Sequence, residues 1–150
     1  MPQSLSKIII HIIFSTKQRE PMISDDIRPK LYAYITGILE DWECSLIQTG
    51  GTKDHVHLLC TLSKNHAACK ILEQVKKNSS KWIKTQGLQY EKFQWQNGYG
   101  IFSISQSSVE QVKEYIRKQE DHHRKMTFQE EFRKFLEKYQ IAYDERYIWD

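Results

Sequence analysis

The stretch Lys53-Asp54-His55-Val56-His57-Leu58-Leu59 (residues 53–59) follows the turn-prone pair Gly50-Gly51. Side chains of a β-strand alternate between its two faces, so His55 and His57 are predicted to share one face. The opposite face is then an apolar row of Val56, Leu58, Cys60 and Leu62. Two imidazoles on one strand face can reach a single metal ion or phosphate, although half-exposed histidines are the commoner meaning of so short a motif.

Hydrophobic periodicity around this strand predicts the rest of the fold. The predicted strands are 7–15, 43–48, 55–62 and 99–105, and the predicted helices are about 24–39, 65–84, 109–126 and 128–139. Ser24 or Asp25 is expected to cap the first helix, Asn65 to open the second, and Ser107 or Ser108 to cap the third. The order β-α-β-β-α-β with two added helices predicts an α+β fold, the ferredoxin-like (RRM-like) plait with an antiparallel sheet.

Length and composition favour one globular domain over residues 1–150, with a core at about 7–126 and a C-terminal helix and tail at about 128–150. The three cysteines, Cys44, Cys60 and Cys69, show no paired spacing, which favours a reducing compartment over a disulfide framework. No apolar run approaches the length of a membrane span and no secretory signal is evident. A cytoplasmic protein with no membrane partner is therefore expected.

Positive charge is concentrated in the second predicted helix. Residues 64–86 contain six lysines and one glutamate, whereas residues 127–150 contain four basic and six acidic residues. One side of the helix carries Lys70, Lys77, Lys81 and Lys84. These lysines are predicted to bind a nucleic-acid backbone, and a solvated helix face is the alternative interpretation.

The third helix carries a second group of polar residues. Tyr115 and Gln119 are four positions apart and are expected to share one face, which His122 and His123 continue. If this helix crosses the open face of the sheet, it brings a phenol and a carboxamide towards His55 and His57. A metal held by His55, His57 and Gln119 could act as a Lewis acid on phosphate, and Tyr115 could attack phosphorus. The alternatives are an edge-of-core tyrosine and solvated histidines.

These motifs resemble a known family. Residues 54–59 are similar to the histidine–hydrophobe–histidine (HUH) motif of single-strand DNA nucleases. With Tyr115-Ile116-x-x-Gln119 about sixty residues later, the chain resembles the single-tyrosine transposases of the insertion sequence 200/605 group. The segment from Trp95 to Ser103 also resembles the start of their fourth strand. The resemblance extends from about Lys7 to Leu136.

The resemblance implies a homodimeric enzyme that cuts and rejoins single-stranded DNA beside hairpins through a 5′-phosphotyrosine. Tyr115, His55 and His57 match the family's catalytic residues, and His55, His57 and Gln119 match its metal ligands. The implied cofactor is Mg²⁺ or Mn²⁺, whereas the imidazole ligands by themselves favour manganese or zinc. The family also favours active sites shared between chains, with the Tyr115 helix docked on the partner.

Three other functions are alternatives to this interpretation. Residues 97–104 are close to the aromatic RNP1 pattern of RNA-binding plaits, but that pattern belongs on the third strand and here falls on the fourth. A domesticated relative that cuts chromosomal palindromes would have the same site residues. A structural or storage site for zinc is the remaining alternative.

Overall fold

The sheet forms the centre of the molecule. The computed structural model describes residues 2–150 and contains the strands β1 (Ile9–Ser15), β2 (Leu46–Gly51), β3 (His55–Thr61) and β4 (Gly100–Ile104). Their order is β2-β3-β1-β4, and every neighbouring pair is antiparallel. The predicted ferredoxin-like plait is thereby confirmed.

Two long helices, α1 (Arg28–Asp41) and α2 (Ala68–Lys84), cover the first sheet face. Apolar side chains recur along each helix at a helical period and pack on the alternate residues of β1 and β3 that point towards them. The buried residues shared by this core include Ile12, Phe14, Val56, Leu58, Leu31, Ile35, Leu72 and Val75. This cluster is the main hydrophobic core.

The second sheet face is covered by α3 (Val109–Arg117), α4 (Gln119–His122) and α5 (Phe128–Lys138). One apolar cluster joins Ile9 and Leu59 to Val109 and Ile116, and another consists of Ile13, Phe102, Phe128, Phe132 and Leu136. His11, His55 and His57 belong to this same face, because they alternate with the core-facing residues of β1 and β3. The imidazoles are therefore enclosed between the sheet and the added helices.

The approach of α3 to the sheet depends on one glycine. A Cβ atom at Gly50, in β2, would lie 2.2 Å from the backbone oxygen of Ile116 in α3. No side chain fits at that distance, so the glycine allows α3 to pack directly on the strand. The predicted second strand ended at Gln48, whereas Gly50 and Gly51 still pair with His57 and Val56 and the turn occupies residues 52–54.

Helix boundaries differ from the predictions where capping side chains have other partners. The helix α1 begins at Arg28 without a side-chain cap, because Ser24 bonds the Tyr90 hydroxyl and Asp25 accepts from Arg28. Asn65 donates to Glu43 and does not open α2, which begins at Ala68. Neither predicted cap is therefore confirmed.

The C-terminal region also differs from the prediction. The helix predicted for 109–126 is interrupted at Lys118, where φ is −96° and ψ is 24°. Residues beyond α5 fold back, since Ile148 and Trp149 pack against the cluster around Phe132 and Gly98 donates to the backbone oxygen of Asp150. None of the described helices is long and apolar enough to span a bilayer.

Candidate active site

The two histidines of β3 each use one ring nitrogen for support and turn the other towards the added helices. His55 Nδ1 lies 2.7 Å from Asp54 Oδ1, while His57 Nδ1 lies 2.8 Å from His11 Nε2. Both rings are fully buried. Such outer contacts fix the orientation of an imidazole and direct its remaining nitrogen.

The segment around the break between α3 and α4 brings two further side chains to the histidines. Gln119 Oε1 lies 3.0 Å from His55 Nε2, and the Tyr115 ring lies 6.2 Å from the His57 ring, centroid to centroid. The Tyr115 ring also stacks on His122, at 4.5 Å between centroids. The structure thus brings together all four residues of the predicted site: His55, His57, Tyr115 and Gln119.

A carboxylate from α5 occupies the centre of this group. Glu131 is 1% exposed, and its Oε1 lies 2.9 Å from His57 Nε2 and 3.2 Å from His123 Nε2. Its Oε2 accepts hydrogen bonds from the Tyr115 hydroxyl and, at 3.1 Å, from Gln119 Nε2. The polar core of the second sheet face is therefore organised around Glu131.

The donor set fits a divalent cation. One ligand atom from each of His55, His57, His123 and Glu131 lies within 4.8 Å of all the others. Asp54 accepts a hydrogen bond from His55 Nδ1, so in a neutral His55 the other nitrogen, Nε2, carries a lone pair. This lone pair faces Gln119 Oε1, which is also an acceptor. A cation between such converging lone pairs would satisfy them together, and mixed imidazole and oxygen ligands suit transition-metal ions.

The family was established by comparison with known proteins. A model of the transposase family described as "Transposase IS200 like" matches residues 4–119. The chain belongs to the IS200-like transposase family. The predicted resemblance is thereby confirmed, and the matched range includes β1 to β4, Tyr115 and Gln119.

Two solved structures share the fold of this IS200-like transposase. A Deinococcus radiodurans R1 protein described as a transposase is 20% identical, with a TM-score of 0.62 over 77% of this chain and 95% of its own. A REP-associated tyrosine transposase bound to a REP hairpin is 13% identical, with a TM-score of 0.57 over 77% of this chain and 68% of its own. No curated protein matches the chain in sequence.

Opposite pKa shifts mark the contact between Tyr115 and Glu131. Burial raises the pKa of Glu131, but the neighbouring His57 and His123 outweigh it and hold that pKa far below its usual range. The pKa of Tyr115 is raised far above its usual value by burial and by the Glu131 carboxylate. In this chain without a bound ion, Glu131 is therefore ionised and Tyr115 carries its proton.

The net pKa shifts of the surrounding histidines differ in direction. Burial lowers the pKa of His11 and of His57, and for His57 it outweighs the attraction of Glu131. The pKa of His123 is raised, because its hydrogen bond to Glu131 and the charge of that group outweigh its desolvation. Two of the three imidazoles are thus held neutral, the state in which a histidine can bind a metal.

The predicted lysine group lies elsewhere. Because α2 packs on the first sheet face, Lys70, Lys77, Lys81 and Lys84 are not brought to the histidines on the second face. Lys77 and Lys84 instead line a separate cavity of about 640 Å³ with Lys76 and Tyr99. Binding of nucleic acid by these lysines stays a prediction.

The alternative RNP1 interpretation does not fit the packing of β4. The aromatic positions of that pattern fall at Tyr99, Ile101 and Ile104, only one of which is aromatic, and Phe102 occupies its valine position. Phe102 lies on β4 and is 2% exposed, because Phe135 and Tyr139 stack on it at 5.4 and 4.8 Å. RNA-binding plaits stack bases on an open sheet face, whereas α5 covers this face of β4. Phe102 therefore serves the packing of α5.

Three residues of the cluster were missed as candidates or interpreted differently from the sequence. Glu131 lies in an acidic pair on an amphipathic helix, where a solvated carboxylate is the expected interpretation. His11 interrupts an apolar strand and lies two residues from both Ile9 and Ile13. Strand alternation puts these three side chains on one face, and this pattern could have placed His11 on the histidine face. For His123 the sequence left a solvated position as the alternative, but the ring lies 4.3 Å from that of His55.

Proposed function

We propose that this chain is a metal-dependent transposase that cleaves and rejoins single-stranded DNA through a covalent 5′-phosphotyrosine at Tyr115. The observation that carries the proposal is the convergence of the Tyr115 hydroxyl, the Nε2 atoms of His55 and His57, and Gln119 on one carboxylate. A nucleophile beside a potential metal site is the arrangement that phosphoryl transfer requires. Membership of the transposase family supports this chemistry.

His55, His57 and Gln119 are proposed as metal ligands, with His123 and Glu131 near enough to complete the set. When bound, Mg²⁺ or Mn²⁺ would polarise the scissile phosphate and stabilise the negative charge that develops on it. Asp54 contacts Nδ1 of His55, and His11 contacts Nδ1 of His57. These contacts hold the two ligand imidazoles in orientation. The imidazole ligands favour manganese over magnesium.

In the proposed step a bond forms between the Tyr115 oxygen and phosphorus, and the bond from phosphorus to the 3′ oxygen breaks. The tyrosine proton passes to Glu131 Oε2, which already accepts the hydrogen bond of the Tyr115 hydroxyl. The departing 3′ oxygen takes up a proton from solvent. The shifts in pKa keep free tyrosinate scarce at neutral pH, so the proton leaves as the bond to phosphorus forms. Rejoining is the reverse reaction with a different 3′ hydroxyl.

Two openings lead to the buried cluster. One cavity of about 970 Å³ is lined by Asp54 and His123, and one of about 690 Å³ is lined by Tyr115, His11 and Glu131. A strand that passes the site can therefore approach both the His55 side and the Tyr115 side. The relative solved with a hairpin supports hairpin-containing DNA as the partner, and the need to hold two cut ends supports a homodimer.

Covalent labelling tests the proposal. The chain is incubated with a pool of single-stranded hairpin oligonucleotides and Mn²⁺, and a denaturing gel with peptide mass mapping locates any adduct. An adduct on Tyr115 is expected, and Tyr115→Phe should abolish it. The ring still packs on His122, so the loss in stability should be limited to that of the hydrogen bond to Glu131, about 1–3 kcal/mol. Tyr147→Phe, at an exposed tyrosine outside the cluster, serves as the control. An adduct mapped to another tyrosine contradicts the assignment.

A further inference from the structure

A cavity of about 690 Å³ lies between β4, α3 and α5, directly beside the proposed nucleophile. Tyr115 and Glu131 line its inner part, whereas the ligand histidines His55 and His57 do not line it. The volume falls within the range of roughly 300–1,000 Å³ that is usual for small-molecule sites. A group bound here would contact the Tyr115 side of the reacting phosphate.

His11 supplies a buried polar atom without a partner. The residue lines the cavity and is 1% exposed; its Nε2 contacts His57, while Nδ1 has no hydrogen-bond partner among residues 2–150. A buried polar atom without a partner is costly, whichever tautomer the ring adopts. A ligand in the cavity could provide the missing hydrogen bond.

The rim of the cavity favours an anion. Lys134 and Lys138 are exposed one helical turn apart on α5, and neither forms an ion pair with a described residue. Glu131 is the only carboxylate among the described lining residues, and the histidines and Tyr115 already engage it. The unneutralised charge at the rim is therefore positive.

One wall of the cavity is aromatic. Phe135 and Tyr139 line the cavity and are only partly buried, so part of each ring remains open to it. Tyr139 is held in place by stacking on Phe102 and by donating to the backbone oxygen of Ser103 at 3.0 Å. Fixed aromatic rings next to lysines are the combination that binds single-stranded nucleic acid without reading its sequence.

We propose that this cavity binds the nucleotide that stays joined to Tyr115 through its 5′ phosphate after cleavage. The inference rests on the proposed function and names the part of the substrate that this side of the site holds. The base packs against Phe135 and Tyr139, Lys134 and Lys138 contact the backbone phosphate that follows, and His11 Nδ1 bonds a polar atom of the nucleotide. In an in-line displacement the 3′ oxygen departs opposite the tyrosine oxygen, so the released strand lies away from this cavity.

Binding of single nucleotides tests the cavity without requiring cleavage. The metal-free chain is titrated with deoxynucleoside 5′-monophosphates and followed by nitrogen-15 NMR. Saturable shifts are expected for amides around the cavity and for His11 Nδ1, and deoxyribose 5-phosphate should bind about tenfold more weakly because it lacks the stacked base. Lys134→Ala/Lys138→Ala should weaken nucleotide binding by about tenfold, whereas the exposed pair Lys30→Ala/Lys92→Ala, outside the cavity, should not.

Saturable shifts elsewhere on the chain, no saturable shift, or equal binding of deoxyribose 5-phosphate would overturn the inference. The titration is independent of catalysis, so failure to find a Tyr115 adduct would leave its result intact. Conversely, an adduct on Tyr115 without nucleotide binding in the cavity would remove this inference alone.

A second measurement assigns the nucleotide to its side of the cleaved bond. In an oligonucleotide that forms the Tyr115 adduct, the base of the retained nucleotide and the base of the departing one are removed in turn. Loss of the retained base should slow cleavage by about tenfold in the natural chain and have little further effect in Tyr139→Leu. Loss of the departing base should change the cleavage rate by the same factor in the natural chain and in Tyr139→Leu. If Tyr139→Leu leaves the effect of the retained base unchanged, the assignment is wrong.

Discussion

His57 links the metal site to the rest of the polar cluster, and its removal gives the first prediction. His57→Ala should weaken Mn²⁺ binding by more than about a hundredfold, since the loss of even an outer partner costs about 10–100-fold. Cleavage should be lost with it. Glu131 Oε1 also loses a partner at 2.9 Å, so we expect a loss of about 1–3 kcal/mol in the free energy of unfolding.

Calorimetric titration with Mn²⁺ measures the affinity, and thermal unfolding measures the stability. Tyr115→Phe is the matched control, because it should abolish the adduct while retaining the metal. Tight Mn²⁺ binding by His57→Ala would show that the ion, if any, is held elsewhere.

Buried neutral histidines should make the metal-free chain sensitive to acid. Burial lowers the pKa of His11 and His57 in the folded chain. Below about pH 6.5 these histidines are therefore protonated in the unfolded chain but still neutral in the folded chain. Stability should therefore fall as the pH falls, by up to about 1.4 kcal/mol per pH unit for each histidine. His123, whose pKa is raised, opposes this trend with stability that is present at low pH and lost as the pH rises.

Denaturant unfolding in chelator between about pH 7.5 and 5.5 measures this slope. His11→Asn keeps an amide near His57 and should flatten the slope, whereas His66→Asn, outside the cluster, should leave it unchanged. A slope that is the same in His11→Asn and the natural chain would contradict the assignment to His11.

At the scale of elements, the contact between β2 and α3 sets the position of Tyr115 and Gln119. Gly50→Ala introduces a Cβ atom 2.2 Å from the Ile116 oxygen, so α3 must move away from the sheet. We expect a loss of about 1–3 kcal/mol in stability, as for other overpacked sites, and loss of the Tyr115 adduct with the β-sheet retained. Circular dichroism, denaturant unfolding and the adduct gel measure these effects.

Gly37→Ala is the matched control for that substitution. A Cβ atom at Gly37 meets nothing within 4 Å, and alanine within a helix should stabilise α1 by about 0.5–1 kcal/mol. Its adduct should be unchanged. Normal adduct formation by Gly50→Ala would mean that docking of α3 is not required for cleavage.

At the scale of the whole molecule, the open feature is whether the helix that carries Tyr115 docks on its own sheet or on that of a partner chain. Within one chain α3 and α4 lie on their own sheet, with Gln119 Oε1 3.0 Å from His55 Nε2. The family resemblance favours a homodimer in which the same helix docks on the partner, and that arrangement stays a prediction. The connection 105–108 between β4 and α3 is short and polar, and the contacts that α3 makes would be the same on either sheet.

Complementation distinguishes the two arrangements. Subunits with His57→Ala and with Tyr115→Phe are each expected to be inactive, and they are mixed after exchange has been verified. If the sites are shared, a mixed dimer has one site with both substitutions and one with neither, so cleavage at a single site returns. If each chain uses its own helix, both sites remain damaged and no cleavage returns, which would rule out sharing.

The sequence by itself determined the fold class, and it predicted four residues that the structure brings together at the candidate site. Alternation in 55–62 separated the histidine face from the core face, and four-residue spacing placed Tyr115 with Gln119, because strand and helix periods are local properties of the backbone. Local sequence patterns predicted the helix starts less well, because the expected capping side chains bond other groups. Ser24, Asp25 and Asn65 were expected at helix starts, but each bonds another group.

Only the tertiary structure decided how the second sheet face is closed. Glu131 and His11 come from a late helix and the first strand, and no local pattern relates them to Tyr115. His123 was expected on the same side as Tyr115, but its contact with Glu131 depends on how α5 packs. Their roles depend on burial, because a carboxylate that is ordinary in water becomes the centre of a hydrogen-bonded cluster when α5 packs on the sheet. The position of α5 also creates the cavity beside Tyr115, which exists only between elements that are distant in the chain.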